Sequence, residues 1–322
     1  MNREKENGID IKFVQHILLV TAVVLLPGML GALFGWFHLL LPLLIFFYLQ
    51  RYGKSLGIKY ILSGCVLACI AGLIFQIFGE ILFSLTLVPV GFAIAGSADK
   101  GEEVYLTGLK GTFALGATWV GAAFILSLGM EQHPYTVLIA SLNQAMDEVI
   151  SYYRTNSTAP AETLYFLEQS LAHIKIWMPR LLPSILTCIT IIITWFSMVA
   201  GNRLLLKKTG KAPWPQYRLW KLPDKLIWLV IGAAILSSIS VETGRIVGVN
   251  ILLICILLYS FQGLAIMLFF FSKWSVPVFL RSIIYVILFF QSFGMVFLAF
   301  LGMVDVWSNI RKLNGSIQEP DN

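Results

Sequence analysis

Several side chains able to hold a proton, an ion or a hydrogen bond stand in or beside stretches otherwise fit for lipid: Gln76, Glu80, Asn250, Tyr259, Gln262, Arg281, Gln291 and Asp305. Inside hydrocarbon a polar group must find a partner, and a charged one costs at least about 2.5–3.5 kcal/mol at the midplane. Gln76 and Glu80 close one apolar run, a turn apart. Asn250 and Gln262 lie twelve residues apart on another, which at about 100° per residue separates them by roughly 120° of rotation. They do not share a face, whereas Tyr259 and Gln262 do. Two chemistries fit. An amide bonded between helices is glue, contributing about 0.6–2 kcal/mol, and Gly263 and Ala265 would permit the close approach it needs. Alternatively Asn250, Tyr259 and Gln262, with Gln76 and Glu80, contact a solute or ion in a cavity. Replacing Gln262 with Leu distinguishes these: a ligand contact is lost from a folded protein, whereas lost glue misfolds it.

The remaining charges read as surface features. Arg281 and Asp305 are about 36 Å apart along one helix, which places them at opposite membrane surfaces. Glu242 and Arg245, three apart in a turn, read as a surface pair. There is no phosphate-binding glycine loop with its lysine, no HExxH pair and no GxSxG elbow. His16, His38, His133 and His173 are scattered singly. Cys65 and Cys69 share a helix face, but with Cys188 and Cys255 they sit in apolar runs without acidic or histidine neighbours, which favours packing over a metal. These absences argue against an enzyme and against a bound cofactor, so uphill movement of anything draws on a partner or an ion gradient.

The elements that must position such residues are membrane helices. The 322-residue chain is 58% hydrophobic and 12% charged, with a mean hydropathy of +0.81. Soluble proteins carry roughly 25% charged residues. The net charge of +6 sits in short loops, a topology signal and not a nucleic-acid surface. At about 20 apolar residues per crossing, spans fall near 13–31, 34–49, 58–78, 81–97, 109–130, 176–201, 226–241, 247–271 and 276–304. The expected fold is an all-α polytopic integral membrane bundle of about nine transmembrane helices, or eight if the first pair is one kinked unit around PGMLGALFGW. The basic connections put the amino terminus in the cytoplasm and the carboxyl tail, with Arg311 and Lys312, outside. The first span follows MNREKENGIDIK without a cleavage site and reads as retained.

Two connections have their own organisation. Between 135 and 175, Leu138, Leu142, Met146, Val149 and Tyr153, then Leu164, Leu167, Leu171 and Ile174, recur at helical spacing, with a start signal at Thr158 and Pro160. These amphipathic helices either lie on the bilayer or cover a cavity. Asn156-Ser157-Thr158 fits a glycosylation acceptor. The loop GNRLLLKKTGKAPWPQYRLWKLPDK is basic and aromatic, which suits a headgroup anchor. A sharper reading makes Lys207, Lys208, Lys211 and Arg218 a docking surface for a cytoplasmic partner. In the fifth span Gly108, Gly111, Ala114, Gly116, Ala117, Gly121 and Ala122 favour tight packing.

The order LLPSILTCITIIITWFSMVAGNRLLLKKTG, YRLWKLPDKLIWLV, GVNILLICILLYSFQGLA and LGMVDVWSNIRK resembles the YybS family of predicted bacterial membrane proteins over residues 180–312. Its marks here are Leu222 and Pro223, Asn250, Gln262 to Ala265, and Asp305 with Arg311. The family brings no established chemistry. FHLLLPLLIFFYLQRYGKSLGIKYILSGCVLACIAGLIF is similar to two helices of the substrate-binding S components of energy-coupling-factor transporters, through Pro42, Arg51-Tyr52-Gly53 and Gly64 to Gly72. That similarity implies capture of a small solute. The expected organisation is an S-component-like six-helix region (1–202), then a basic cytoplasmic loop and three-helix extension (203–322), in a bacterial cytoplasmic membrane. The expected function is binding and transport of a small solute. The alternative is a membrane scaffold that recruits cytoplasmic partners through the 202–225 loop.

Overall fold

The computed structural model describes residues 11–129, 132–156, 160–291 and 293–312. Among them every regular element is a helix: α1 (Ile11–Met29), α2 (Gly31–Phe34), α3 (Leu40–Ile74), α4 (Phe78–Leu85), α5 (Val88–Asp99), α6 (Val104–Ser127), α7 (Pro134–Asn156), α8 (Ala161–Thr209), α9 (Leu226–Ser238), α10 (Glu242–Lys273), α11 (Val278–Phe290) and α12 (Gly294–Ser308), with 3-10 turns at Gly35–Leu39 and Tyr217–Leu219. Among the described residues six helical segments are long and apolar enough to cross a membrane: Ile11–Met29, Gly31–Ile74, Phe78–Asp99, Val104–Ser127, Ala161–Thr209 and Glu242–Lys273. Three apolar helices are shorter, α9, α11 and α12, at about 20 Å each. The all-helical membrane class is as the composition requires.

The chain forms two compact units, each assembled from separated segments: residues 1–118, 189–224 and 258–322 in the first, and 119–188 and 225–257 in the second. The sequence-based boundary near 202 falls inside α8.

In the first unit α3 carries the expected basic-glycine turn. Gly53 has φ +77, a conformation glycine adopts without a side-chain clash. The two arms of α3 then lie back to back, close enough that a Cβ on Gly57 would stand 3.0 Å from the Tyr48 carbonyl oxygen. α1 packs on this hairpin through Val20 against Gly64, and α5 through Gly91 against Ile45. His16 of α1 lies among Tyr48, Tyr52 and Tyr60, its two ring nitrogens 3.1 and 3.2 Å from the Tyr48 and Tyr52 hydroxyls. α6 presents Gly108 and Gly111 to Met198 and Thr194 of α8, while Leu109 and Phe113 remain exposed. Apolar side chains left outward on such a helix are what a lipid solvent requires.

In the second unit α7 pairs with the first turns of α8 through Arg154–Glu168 (2.7 Å) and Lys175–Asp147 (2.5 Å). The sequence separates an outer helix from a sixth span near residue 176. Instead α8 runs on for 49 residues through Pro179 and Pro183. Gly248 lets α10 meet the α9 backbone at Ser237. Glu242 pairs with Arg180 at 2.9 Å, which corrects the expected Glu242–Arg245 pair: both of the latter are on α10, and Arg180 offers a guanidinium from outside the helix.

The ninth span is also revised. It comprises two helices, α11 ending at Phe290 and α12 starting at Gly294, with Gln291 extended at ψ 124 and Gly294 seated under the Leu288 carbonyl. Arg281 donates to the Val276 and Phe271 carbonyl oxygens, which ties α11 to the end of α10. Ser157 and Thr158 of the glycosylation motif, residues 1–10 and the tail beyond 312 lie outside the described residues.

Candidate functional site

Two glycines create the site. A Cβ on Gly263 would lie 1.9 Å from the Leu298 carbonyl oxygen, and one on Gly302 would lie 2.2 Å from that of Tyr259. The backbones of α10 and α12 therefore touch, antiparallel, at two points about one turn apart. This close approach carries the side chain of Gln262 onto the last turns of α12. Gln262 is 3% exposed. Its Oε1 accepts the Leu222 N–H at 2.9 Å, and its Nε2 donates to the Gly302 carbonyl (3.1 Å) and to Asp305 Oδ2 (3.3 Å).

α12 ends at Asn309, which takes left-handed φ 40 and ψ 52. Asparagine tolerates that conformation better than most residues, so the chain reverses there. The reversal brings Arg311 back over Asp305, six residues earlier. Arg311 Nη2 donates to Asp305 Oδ2 at 3.0 Å, with side-chain exposures of 0% and 2%. Its Nη1 donates to the carbonyls of Arg218 and Trp220, both at 2.9 Å. Arg311 is thus not the outward tail charge that the loop pattern suggests; it is a buried clamp on the 217–222 backbone.

That backbone is irregular, and irregular backbone must be satisfied locally when water is excluded. Asn202 of α8 does part of this: Nδ2 donates to the Trp214 and Pro215 carbonyls, and Oδ1 accepts the Trp214 N–H. The Trp214 indole donates to the Glu102 carbonyl, and that of Trp220 to the Pro215 carbonyl. Tyr217 donates to the Phe261 carbonyl at 2.5 Å, beneath the stacked pair Trp195–Phe261 (4.2 Å between centroids). The Arg218 guanidinium is bonded to Ser272 Oγ. So Arg218 is committed to the fold, while Lys207, Lys208 and Lys211 are exposed.

No charged residue stands in α10 between Arg245 and Lys273, and Gln262 is about 16 Å along the helix from Lys273. A buried ion pair therefore faces a long uncharged helix. Among the described residues neither Asp305 Oδ1 nor Arg311 Nε has a hydrogen-bond partner.

The loop also borders a cleft of about 320 Å³ lined by Glu102, Glu103, Tyr105, Trp214, Trp220 and Lys221 among others. Glu102 takes both Lys110 Nζ contacts (2.5 and 2.6 Å) and the Ser97 hydroxyl (2.6 Å). These bonds hold its carboxyl below the ordinary range.

Asn250 belongs to a different arrangement. Its Oδ1 accepts the Ser184 N–H at 3.0 Å, and its Nδ2 donates to the Arg180 carbonyl at 2.9 Å and to the Ile246 carbonyl at 2.8 Å. Ser184 N–H and Arg180 C=O are the pair an unbroken helix joins directly. The amide thus splices α8 beside Pro183, whose missing N–H leaves the Pro179 carbonyl to the Tyr135 hydroxyl at 2.8 Å.

Of the proposed ligand residues, Gln262 and Tyr259 share the α10–α12 contact, Tyr259 fully buried. Gln76 (φ 59) occupies the turn after α3, and Glu80, exposed, opens α4. Asn202 and the Asp305–Arg311 pair were not evident as a site. An i,i+6 pair matches no helix face, so only the chain reversal at Asn309 reveals it.

No curated protein and no solved structure matches this chain. A family model described as "Predicted membrane protein (DUF2232)" matches residues 17–306, most of the chain, so the protein belongs to the DUF2232 family of predicted membrane proteins.

Proposed function

We propose that the protein binds a small solute and moves it across a bacterial cytoplasmic membrane, with the Gln262–Asp305–Arg311 layer as the polar centre of the path. One observation carries this reading. An aspartate–arginine pair, side chains at most 2% exposed, is held against irregular backbone facing the uncharged length of α10. Charges placed inside membrane proteins are costly and mark solute or ion paths by default. Irregular backbone at depth is tolerated where protein or a wet cavity satisfies it, and unwound segments of this kind form the binding sites of transporters. The resemblance of residues 37–75 to two helices of energy-coupling-factor S components, drawn from the sequence, points the same way.

The site differs in emphasis from the one expected. The amides of Gln262 and Asn250 spend their hydrogen bonds on protein, which makes them positioning groups, and the ion pair holds the open valences. A scaffold role through the 202–225 loop draws on a narrower feature, the exposed Lys207, Lys208 and Lys211.

Native mass spectrometry of the protein extracted with its own lipids tests the proposal. A stoichiometric non-lipid molecule retained by the wild type and lost from a folded Arg311→Lys variant is the expected result. A protein partner in its place, lost when the three lysines are neutralised, would replace transport with the scaffold.

A further inference from the structure

We propose that the solute is a small organic anion bearing a carboxylate, taken by the Nε/Nη2 edge of Arg311 together with one proton on Asp305; this rests on the transport reading above. The guanidinium spends its hydrogen bonds unevenly. Nη1 is fixed by the Arg218 and Trp220 carbonyls, at 2.9 Å each. Nη2 makes one bond, to Asp305 Oδ2 at 3.0 Å. Nε makes none among the described residues, and neither does Asp305 Oδ1. An arginine and a carboxylate that meet squarely share two parallel bonds. This pair shares one.

The cause is visible in the same network. Gln262 Nε2 also draws on Asp305 Oδ2, so the carboxylate is turned toward α10, and the two loop carbonyls fix the guanidinium from the other side. Arg311 therefore presents a half-used fork whose geometry matches a two-oxygen anion better than it matches its own partner. Lysine in this place would be a point charge; arginine supplies the planar edge.

Charge then dictates the proton. The resident pair is neutral as a unit. Adding an anion leaves one uncompensated negative charge among buried groups, which is strongly unfavourable in a medium of low dielectric constant. Protonating Asp305 restores neutrality: the anion becomes the partner of Arg311, and the aspartic acid keeps Gln262 and gains a donor. One anion and one proton enter together, no covalent bond changes, and the layer is neutral before and after. The other ionisable groups facing it are Tyr217, Tyr259 and Arg218, with Asp224 exposed and paired to Lys221 on the same loop. Among these side chains the buried carboxylate is the one with lone pairs and a negative charge to neutralise, so Asp305 takes the proton.

The test uses the purified full chain in lipid-supplemented detergent. Melting temperature is followed in sodium acetate, lactate, benzoate and succinate against sodium chloride of equal ionic strength, at pH 5.5 and 7.5, alongside the native mass spectrum. At least one carboxylate should stabilise the wild type beyond chloride, with apparent affinity rising about tenfold per unit fall in pH while one proton is taken up. Asp305→Asn should keep the carboxylate effect and lose its pH dependence. Arg311→Lys should lose the effect while keeping the charge; if that variant does not fold, the pH profile of Asp305→Asn decides. A carboxylate effect in the wild type that ignores pH overturns the proton. A bound neutral or cationic molecule, with carboxylates no better than chloride, leaves transport standing and overturns the anion. No bound small molecule and no carboxylate effect removes the transport reading itself, and this proposal with it.

Discussion

Two amides on one helix, Asn250 and Gln262, solve different problems. Asn250 sits where α8 passes a proline, and its three bonds go to backbone groups of neutral peptide units. It repairs a helix. Gln262 sits where α10 touches α12 at Gly263 and Gly302, and it joins a loop N–H, a helix carbonyl and a buried carboxylate. It organises charge. Asn250 is half-buried and its side chain bonds backbone groups and no charged side chain, so its arrangement is explained by helix continuity alone. The Gln262 layer contains two charges that helix continuity does not need. Polar residues that tidy a backbone and polar residues that hold buried charge look alike in a sequence, and they separate here by what they bond.

The largest loss is expected at Arg311. Replacing it with Met leaves Asp305 charged and unpaired, at a cost of about 3–5 kcal/mol, and denaturant titration in detergent should show most of the fold's stability gone. If the pair serves only structure, Asp305→Leu together with Arg311→Met should still be close to as damaging as the single change. If the pair is retained for a solute, the double variant should recover much of the loss, because packed apolar groups commonly match a buried ion pair. Next comes Gln262→Leu, which strands the Leu222 N–H and removes two bonds from α12. A loss of about 2–4 kcal/mol follows from buried groups left without partners. Asn250→Leu should cost less, about 1–3 kcal/mol, and the cost should shrink in a Pro183→Ala background that restores one N–H to α8. An equal cost in both backgrounds would mean that Asn250 does not serve the α8 break.

Much of the fold is legible from hydropathy because lipid imposes a single rule, that runs of about 20 apolar residues become helices. The turn at Arg51-Tyr52-Gly53 and the two amphipathic segments of 135–175 follow from local pattern in the same way. What escapes is long-range. Residues 276–304 read as one span because Gln291 and Gly294 are weak signals beside Phe290 and Phe293. The use of Gln262 as a tie is legible, since Gly263 follows it, but its partners lie 40 and more residues away. Arg311 and Lys312 resemble each other on paper as tail charges, although Arg311 is 4% exposed and Lys312 is exposed. Only the left-handed residue at Asn309 separates them.

The smallest expected effect belongs to Glu102, in the cleft that the loop borders. Its carboxyl is held below the ordinary value first by the Lys110 bond and then by that of Ser97. A group depressed in the folded state stabilises the fold above its unfolded value and loses that contribution as pH falls through the folded value. The loop junction should therefore loosen only on acidification below the usual glutamate range. The Trp214 indole bonds the Glu102 carbonyl and reports on this junction. Its fluorescence, in a variant with the other tryptophans replaced by Phe, should shift in acid, and Glu102→Gln should produce the shifted spectrum already at neutral pH. A spectrum indifferent to both changes would assign the loop's order to Asn202 and Arg311 alone, and would place the whole weight of the junction on the charged layer.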